Sequence, residues 1–251
     1  MGGATRLVHC VVERGIATIT LDSPANRNAL SRRLIADLHD ALDTAEQARA
    51  RIVVLTHVAP AFCSGADLSE RASNNAPTDS GPMVHALQRL GGLTAPTIAA
   101  VDGAVRAGGL GLMASCDLVV VRTDATFAFT EVRIGVAPAI ISVPILRRCG
   151  WSKLAGPFLT GEVFDAATAR DMGLITHVTD DVAATVATLT DGVLRGAPGA
   201  VAATKRILRR PGDWEDMQHL SETLFRSAEA TEGMRAFAEK RTPSWVEGSG
   251  T

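Results

Sequence analysis

Two glycine-bearing turns and one glutamate are the places in this chain where residue type and spacing could do chemistry. The first turn, RAGGLGLMASCD (residues 106–117), follows the strand-like run TIAAVD and opens a short helix. Within it Gly109-Leu110-Gly111-Leu112-Met113-Ala114 fits G-x-G-x-x-A, the pattern that lets a pyrophosphate approach a helix N-terminus. That chemistry needs a tight turn leading from the strand straight into a long helix. Here residues 103–107 intervene before Gly108, and only a couple of helical turns fit before Asp117 begins another strand. Glu131 lies downstream at the spacing of a ribose-binding acid, yet it comes after two strand-like segments. The context therefore excludes a dinucleotide loop.

Other catalytic patterns fail as well. A P-loop would need Gly-Lys-Ser/Thr after the glycines. The six histidines are far apart, with no H-E-x-x-H and no cysteine at ligand spacing, so no metal site is expected. FCSGAD lacks the first glycine of a nucleophile elbow. Cys63 has no histidine placed by sequence to activate it, and core packing is the better reading.

What remains is a helix N-terminus behind small residues, where backbone N–H groups have no partner. A second such place is FCSGADLSE, where Ser64-Gly65-Ala66 lead into Asp67 after the apolar strand RIVVLTH. Either turn alone reads as an ordinary tight turn. Together, after two core strands, they could aim two N–H donors at one oxygen, the geometry of an oxyanion hole.

The elements that must position these turns follow from periodicity. LVHCVVE and IATITLD flank Arg14-Gly15 as a hairpin. Ser31 is placed to cap a helix over residues 32–50, with Leu34, Leu38, Leu42 and Ala45 on one face. RIVVLTH, TIAAVDG, DLVVV and TFAFT read as strands separated by a helix around residues 83–90 and by the glycine turn, which predicts α/β with largely parallel pairing. Beyond Ser142 the pattern is helical at 151–159, 165–173, 182–195, 200–208 and 214–240, with ITHV a lone short strand. The last, long amphipathic helix could dock on another subunit or cap the core in solvent.

With 251 residues, 46% of them hydrophobic, the chain can bury a full core in one large domain with a small appendage. A net charge of −2 and only 4% aromatics give no case for nucleic acid or an anionic membrane surface as partner. MGGATRLVHC lacks the apolar stretch of a secretory signal, and Arg6 breaks the myristoylation pattern. No apolar run is long enough to span a bilayer. Cys10, Cys63, Cys116 and Cys149 are scattered, as reduced thiols of a cytoplasmic protein would be.

In SPANRNALS, FCSGADL, the glycine turn ending in CDLVV, TFAFTEVRIGVAP and FLTGEVFDAATARDMGLITHVT, the chain resembles the enoyl-CoA hydratase/isomerase, or crotonase, family. The resemblance covers nearly the whole chain. It implies a crotonase-type spiral of repeated ββα units over residues 1–195 and a C-terminal helical trimerisation region over 196–251. It also implies homotrimers, often paired into hexamers, and an acyl-CoA thioester substrate. No separate cofactor is implied, coenzyme A being part of that substrate.

By the same resemblance the oxyanion donors are the backbone N–H groups of Ala66 and Gly108. Glu131 is the acid/base group, its pKa raised by burial beside Phe127 and Phe129; a plain salt bridge to Arg133 is the alternative. The second glutamate of the best-known hydratases maps onto Gly111, so that carboxylate is missing. Ala139 stands where dienoyl-CoA isomerases carry an acid, which argues against that activity. Arg27 is placed to meet a nucleotide phosphate, and Ala29, Ser64, Gly65, Asp67, Leu68 and Gly109 line the acyl-CoA groove. Val246 falls where a phosphate-binding lysine is often found. Trp245 is expected over the acyl pocket of its own or a neighbouring chain, or capping an apolar seam. Residues 71–82 and 137–145 are expected to wall that pocket. The turn around Gly111 followed by GVAPAIIS favours a hydratase. A 3-enoyl-CoA isomerase with Glu131 as proton shuttle, and a non-catalytic acyl-CoA-binding homologue, stay open.

Overall fold

Arg14 and Gly15 both take positive φ, 50° and 78°, and fold β1 (Val8–Glu13) back on β2 (Ile16–Leu21) as a two-residue hairpin. The computed structural model describes residues 5–72 and 79–247. Next comes α1 (Arg32–Gln47), started by Ser31, whose hydroxyl accepts from Leu34 N at 3.1 Å. Its buried face is Leu34, Leu38, Ala41, Leu42 and Ala45, as the spacing predicts.

Three times the chain then runs from a strand into a shorter strand and on into helix. β3 (Ile52–His57) leads to β4 (Ala61–Cys63), α2 (Leu68–Ala72) and α3 (Gly81–Gly92). β5 (Thr97–Val101) leads to β6 (Ala104–Arg106) and α4 (Gly108–Ser115). β7 (Leu118–Arg122) leads to β8 (Thr126–Ala128), a 3₁₀ turn (Thr130–Ile134) and α5 (Ala139–Leu146). After α6 (Trp151–Thr160), β9 (Phe164–Asp165), α7 (Ala166–Met172) and β10 (His177–Thr179), the chain is helical: α8 (Val182–Arg195), α9 (Pro198–Arg209), α10 (Trp214–Phe225), α11 (Ala228–Glu239) and α12 (Ser244–Glu247).

The long strands form one sheet in the order β1-β2-β3-β5-β7-β10, parallel from β2 onward; the short ones form a second, β4-β6-β8-β9. Each repeat therefore adds one strand to both sheets, which makes the chain a spiral of ββα units. ITHV takes its place as β10 beside β7. The second sheet is a finding that periodicity did not reveal, because strands of two or three residues have no readable alternation.

Alternation along the long strands splits the core in two. Val53, Leu55, Ala99, Val101, Val119 and Val121 face the main core with α1 and α4, while Ile52, Val54, Ile98, Ala100 and Val120 face α8. That is why these strands are apolar without interruption. The helix expected over 214–240 is two helices. Ser227, whose hydroxyl accepts from Ala230 N at 3.0 Å, caps α11 and ends the continuity, and a serine inside a helical pattern does not announce that role.

Candidate active site

The first turn begins where β4 leaves the small sheet. Phe62 and Cys63 are fully buried, and Gly65 takes φ +93°, a conformation open to glycine at little cost. The loop before α1 is laid against this turn by hydrogen bonds. Ser64 N donates to Arg27 O (3.0 Å), Ser64 Oγ to Asn26 O (3.1 Å), and Leu30 N to Gly65 O (2.8 Å). Buried Asn28 fixes that loop, donating to Val58 O (3.1 Å) and Ala61 O (2.7 Å) while accepting from Ser23 N (2.7 Å). Leu30 and Ala66 form a parallel bridge whose two bonds run to Gly65 O and from Asp67 N. The N–H of Ala66 takes no part in that bridge, and Ala66 itself is exposed.

The second turn is Ala107–Gly108. Ala107 sits at φ 46°, ψ −120°, a strained conformation for a residue with a side chain, and its N–H is held by Ala128 O at 3.0 Å. Gly108 is the first residue of α4, so its N–H has no acceptor within the helix. A β-carbon on Gly65 would lie 2.8 Å from Ala107 Cβ and 3.7 Å from Gly108 N; one on Gly108 would lie 4.0 Å from Gly65 Cα. The Gly65 turn and the Ala107–Gly108 turn thus pack against each other backbone to backbone. The positive end of the α4 dipole adds to the attraction for a developing oxyanion.

Glu131 lies in the 3₁₀ turn three residues beyond Ala128, the residue that holds Ala107. Its Oε2 is enclosed and has no hydrogen-bond partner among the described residues. Burial pushes its carboxyl above the ordinary range. Arg133 donates to Thr160 O at 3.2 Å, and among the described residues no ion pair is formed by the Glu131 carboxylate. Phe127 and Phe129 are both fully buried on either side of β8's end.

Several residues named from the sequence hold the turns in place. A β-carbon on Gly109 would lie 2.6 Å from Cys63 Cβ, so this glycine is where α4 packs on β4. Cys63 is fully buried with its thiol pushed up to about 12, an inert core residue. Asp67 accepts from Ser69 N, Ser69 Oγ and Asn26 Nδ2, bonds to Ser69 above all keeping its carboxyl below the usual range. Ala29 is buried, while Arg27 and Leu68 are exposed near the turn.

Of the places expected for Trp245, the structure puts it at an apolar seam. Its indole donates to Arg195 O at 3.0 Å, its ring lies against Gly233, and its carbonyl accepts from Arg51 at 2.8 Å. It caps the seam between α8 and α11 at the start of β3.

Two residues not singled out from the sequence complete the site. Leu30 Cδ1 and Met83 Cε flank Gly108, and both line a cavity of about 270 Å³ shared with Ile35, Ala36, His39 and Asp67. Asp79, Ser80 and Pro82 of the expected pocket loop also line it; residues 73–78 of that loop lie outside the described residues. At Gly111 a β-carbon would meet Ile141 Cγ2 at 2.5 Å, so α5 fills the space that a side chain there would need. Ile141 falls within the segment expected to wall the pocket, but nothing local pairs it with Gly111.

Residues 12–248 match the family model described as enoyl-CoA hydratase/isomerase. The chain belongs to the enoyl-CoA hydratase/isomerase family. Enoyl-CoA hydratase EchA19 of Mycobacterium tuberculosis is 33% identical over 90% of this chain and 91% of its own length. The 2,3-dehydroadipyl-CoA hydratase of Escherichia coli is 31% identical over 93% of this chain and 96% of its own. The crystal structure of an enoyl-CoA hydratase from Mycobacterium smegmatis superposes with a TM-score of 0.87 at 31% identity, covering 95% of this chain and 98% of that one. The family's crotonase fold is the ββα spiral described above.

Proposed function

We propose that this chain is an enoyl-CoA hydratase, adding water across C2=C3 of a 2-enoyl-CoA thioester. The observation that carries the reading is the packing of the Gly65 turn on Gly108, which supports a pair of backbone donors there, together with an enclosed Glu131 Oε2 that has no hydrogen-bond partner among the described residues. The hydratase names of relatives at similar length support it.

In the proposed reaction the thioester oxygen accepts from Ala66 N and Gly108 N. Ionised Glu131 takes a proton from water as its oxygen bonds to C3. The C2=C3 electron pair moves to C2, and the charge spreads onto the held oxygen as an enolate. Glu131 then returns its proton to C2, which restores both the carboxylate and the thioester. The acyl group is proposed to enter the cavity beside Leu30 and Met83, and Arg27 to meet a phosphate of coenzyme A.

One observation favours a second reading. With Ile141 filling the place at Gly111, Glu131 acts alone, which also suits an isomerase moving one proton from C2 to C4 of a 3-enoyl-CoA. Incubation with crotonyl-CoA and with a 3-enoyl-CoA separates the two. Loss of conjugated-thioester absorbance from the first marks the hydratase, and its gain with the second the isomerase. No change with either would leave an acyl-CoA-binding protein and overturn the proposal.

We also propose self-assembly into a trimer or a pair of trimers, supported by Trp214, Phe225 and Phe237, which are 93%, 68% and 88% exposed on α10 and α11. Sedimentation of the full chain tests it. No helix among the described residues is long and apolar enough to cross a membrane. A cytoplasmic location is proposed on the four free thiols.

A further inference from the structure

The end of α4 opposite the proposed donor is held by cations from distant parts of the chain. α4 has eight residues, GGLGLMAS, and its one polar side chain, Ser115, bonds back to Gly111 O at 2.8 Å. Its N-terminal end is tied through Ala107 N–H to Ala128 O at 3.0 Å, and between its ends the side chains make apolar packing, which is non-directional and does little to fix a short helix along its axis. A helix also leaves its last four carbonyls without internal partners. Here each is met. Leu112 O accepts from Cys116 Sγ (3.6 Å), Met113 O from Cys116 N (3.2 Å), Ala114 O from Arg148 Nε (3.0 Å) and Ser115 O from Arg209 Nη2 (2.6 Å).

The two arginines are themselves fixed. Arg148 also donates to Cys116 O, Asp117 O (2.8 Å) and Leu174 O (3.2 Å). Arg209 Nε bonds Asp117 Oδ1 at 2.7 Å. Lys205, only 6% exposed, bonds Asp117 Oδ2 at 2.9 Å and Ala95 O at 2.8 Å. The same Asp117 oxygen accepts from Thr97 N (2.8 Å) and Thr97 Oγ1 (3.0 Å) at the start of β5.

We infer that Arg148 and Arg209, with Asp117 and Lys205 behind them, are positioning residues for the oxyanion donor: they hold the C-terminal carbonyls of α4 and so set where Gly108 N stands. A helix this short is about 12 Å long and moves as a rigid piece, so slippage at one end appears at the other. Because Lys205 and Arg209 belong to α9, the C-terminal helical region takes part in building the site. The inference rests on Gly108 N–H being an oxyanion donor.

The test uses the full chain and its Arg209→Met, Arg209→Lys and Arg51→Met variants. Butyryl-CoA labelled with carbon-13 at the thioester carbonyl reports on the hydrogen bonds through its infrared stretch. Bound to the unaltered protein it should shift to lower frequency. Arg209→Met should lose most of that shift and, since a misplacement near 1 Å can cost about a hundredfold, at least about tenfold in kcat with KM changed less than about threefold. Arg209→Lys should recover part of both. Arg51 also donates from a partly buried guanidinium to three carbonyls, of Trp245, Leu194 and Gly196, none of them in α4. Arg51→Met should lower the melting temperature and leave the carbonyl stretch alone. A normal stretch and normal kcat in Arg209→Met would overturn the inference, as would an equal loss of the stretch shift in Arg51→Met. Absence of any shift in the unaltered protein would sink the donor reading itself. If Arg209→Met does not fold, Arg209→Lys and Lys205→Met carry the same comparison.

Discussion

The Cγ2 methyl of Ile141 lies 2.5 Å from the point where a β-carbon on Gly111 would stand. The glycine is therefore a packing requirement of α4 against α5. Gly111→Glu alone should overpack the contact, costing about 1–3 kcal/mol of stability, and should not raise hydration. Adding Ile141→Ala opens the space, so the double variant should regain stability and hydrate crotonyl-CoA faster than Gly111→Glu. Equal rates in the single and double variants would show that the contact does not govern access to this position.

Glu131→Gln should lower turnover by about two to four orders of magnitude, the usual contribution of a general acid–base, while acyl-CoA binding stays nearly unchanged. Calorimetric titration with a saturated acyl-CoA, beside the kinetic assay, checks both halves. A variant that keeps most of its turnover removes Glu131 from the mechanism.

The pH dependence follows from the direction of the Glu131 shift. Its folded pKa is raised by burial above the ordinary 4.5, and a base must be ionised, so kcat/KM should fall on the acid side at a higher pH than an ordinary carboxylate gives. For stability the native state holds this proton where the unfolded chain has lost it. The contribution is thus fully present below the unfolded pKa and is lost as pH rises through the folded one. Glu131→Gln should melt higher than the unaltered protein at neutral pH, and the difference should shrink toward pH 4. An acid limb at the ordinary carboxylate position would contradict the burial.

At Gly108 a β-carbon would reach Leu30 Cδ1 at 2.6 Å, and at Gly65 it would reach Ala107 Cβ at 2.8 Å with φ already at +93°. Gly108→Val should push the two turns apart and cut kcat by about a hundredfold or more, the scale of losing one oxyanion donor. Gly65→Ala should lose both stability and turnover. Melting curves and kcat measured together separate the two effects.

Cys63 is sealed beneath the turn with its thiol near 12. Treatment of the folded protein with iodoacetamide at neutral pH should leave activity unchanged, because the thiolate is both scarce and enclosed. Rapid inactivation traced to Cys63 would show that the turn opens.

Much of this was legible along the chain because it depends on near neighbours. The alternation of Ala17, Ile19 and Leu21, the spacing of Leu34 to Ala45 and the cap at Ser31 are local patterns, and they set the hairpin, α1 and the parallel strands. The two glycine turns were readable for the same reason, since positive φ and close backbone approach select glycine at single positions. The residue types at positions 111 and 131 likewise stand in the sequence.

Tertiary structure decided what those residues meet. Ile141 against Gly111, Cys63 against Gly109, Arg209 on Ser115 O and Trp245 on Arg195 O join positions tens of residues apart, and no periodicity records such pairs. The short strands β4, β6 and β9 exist only because a neighbouring strand supplies their hydrogen bonds. Sequence determined which chemical groups this protein owns. The fold, by enclosing Glu131 Oε2 without a partner and packing the Gly65 turn on Gly108, decided which of them lie where they could act together.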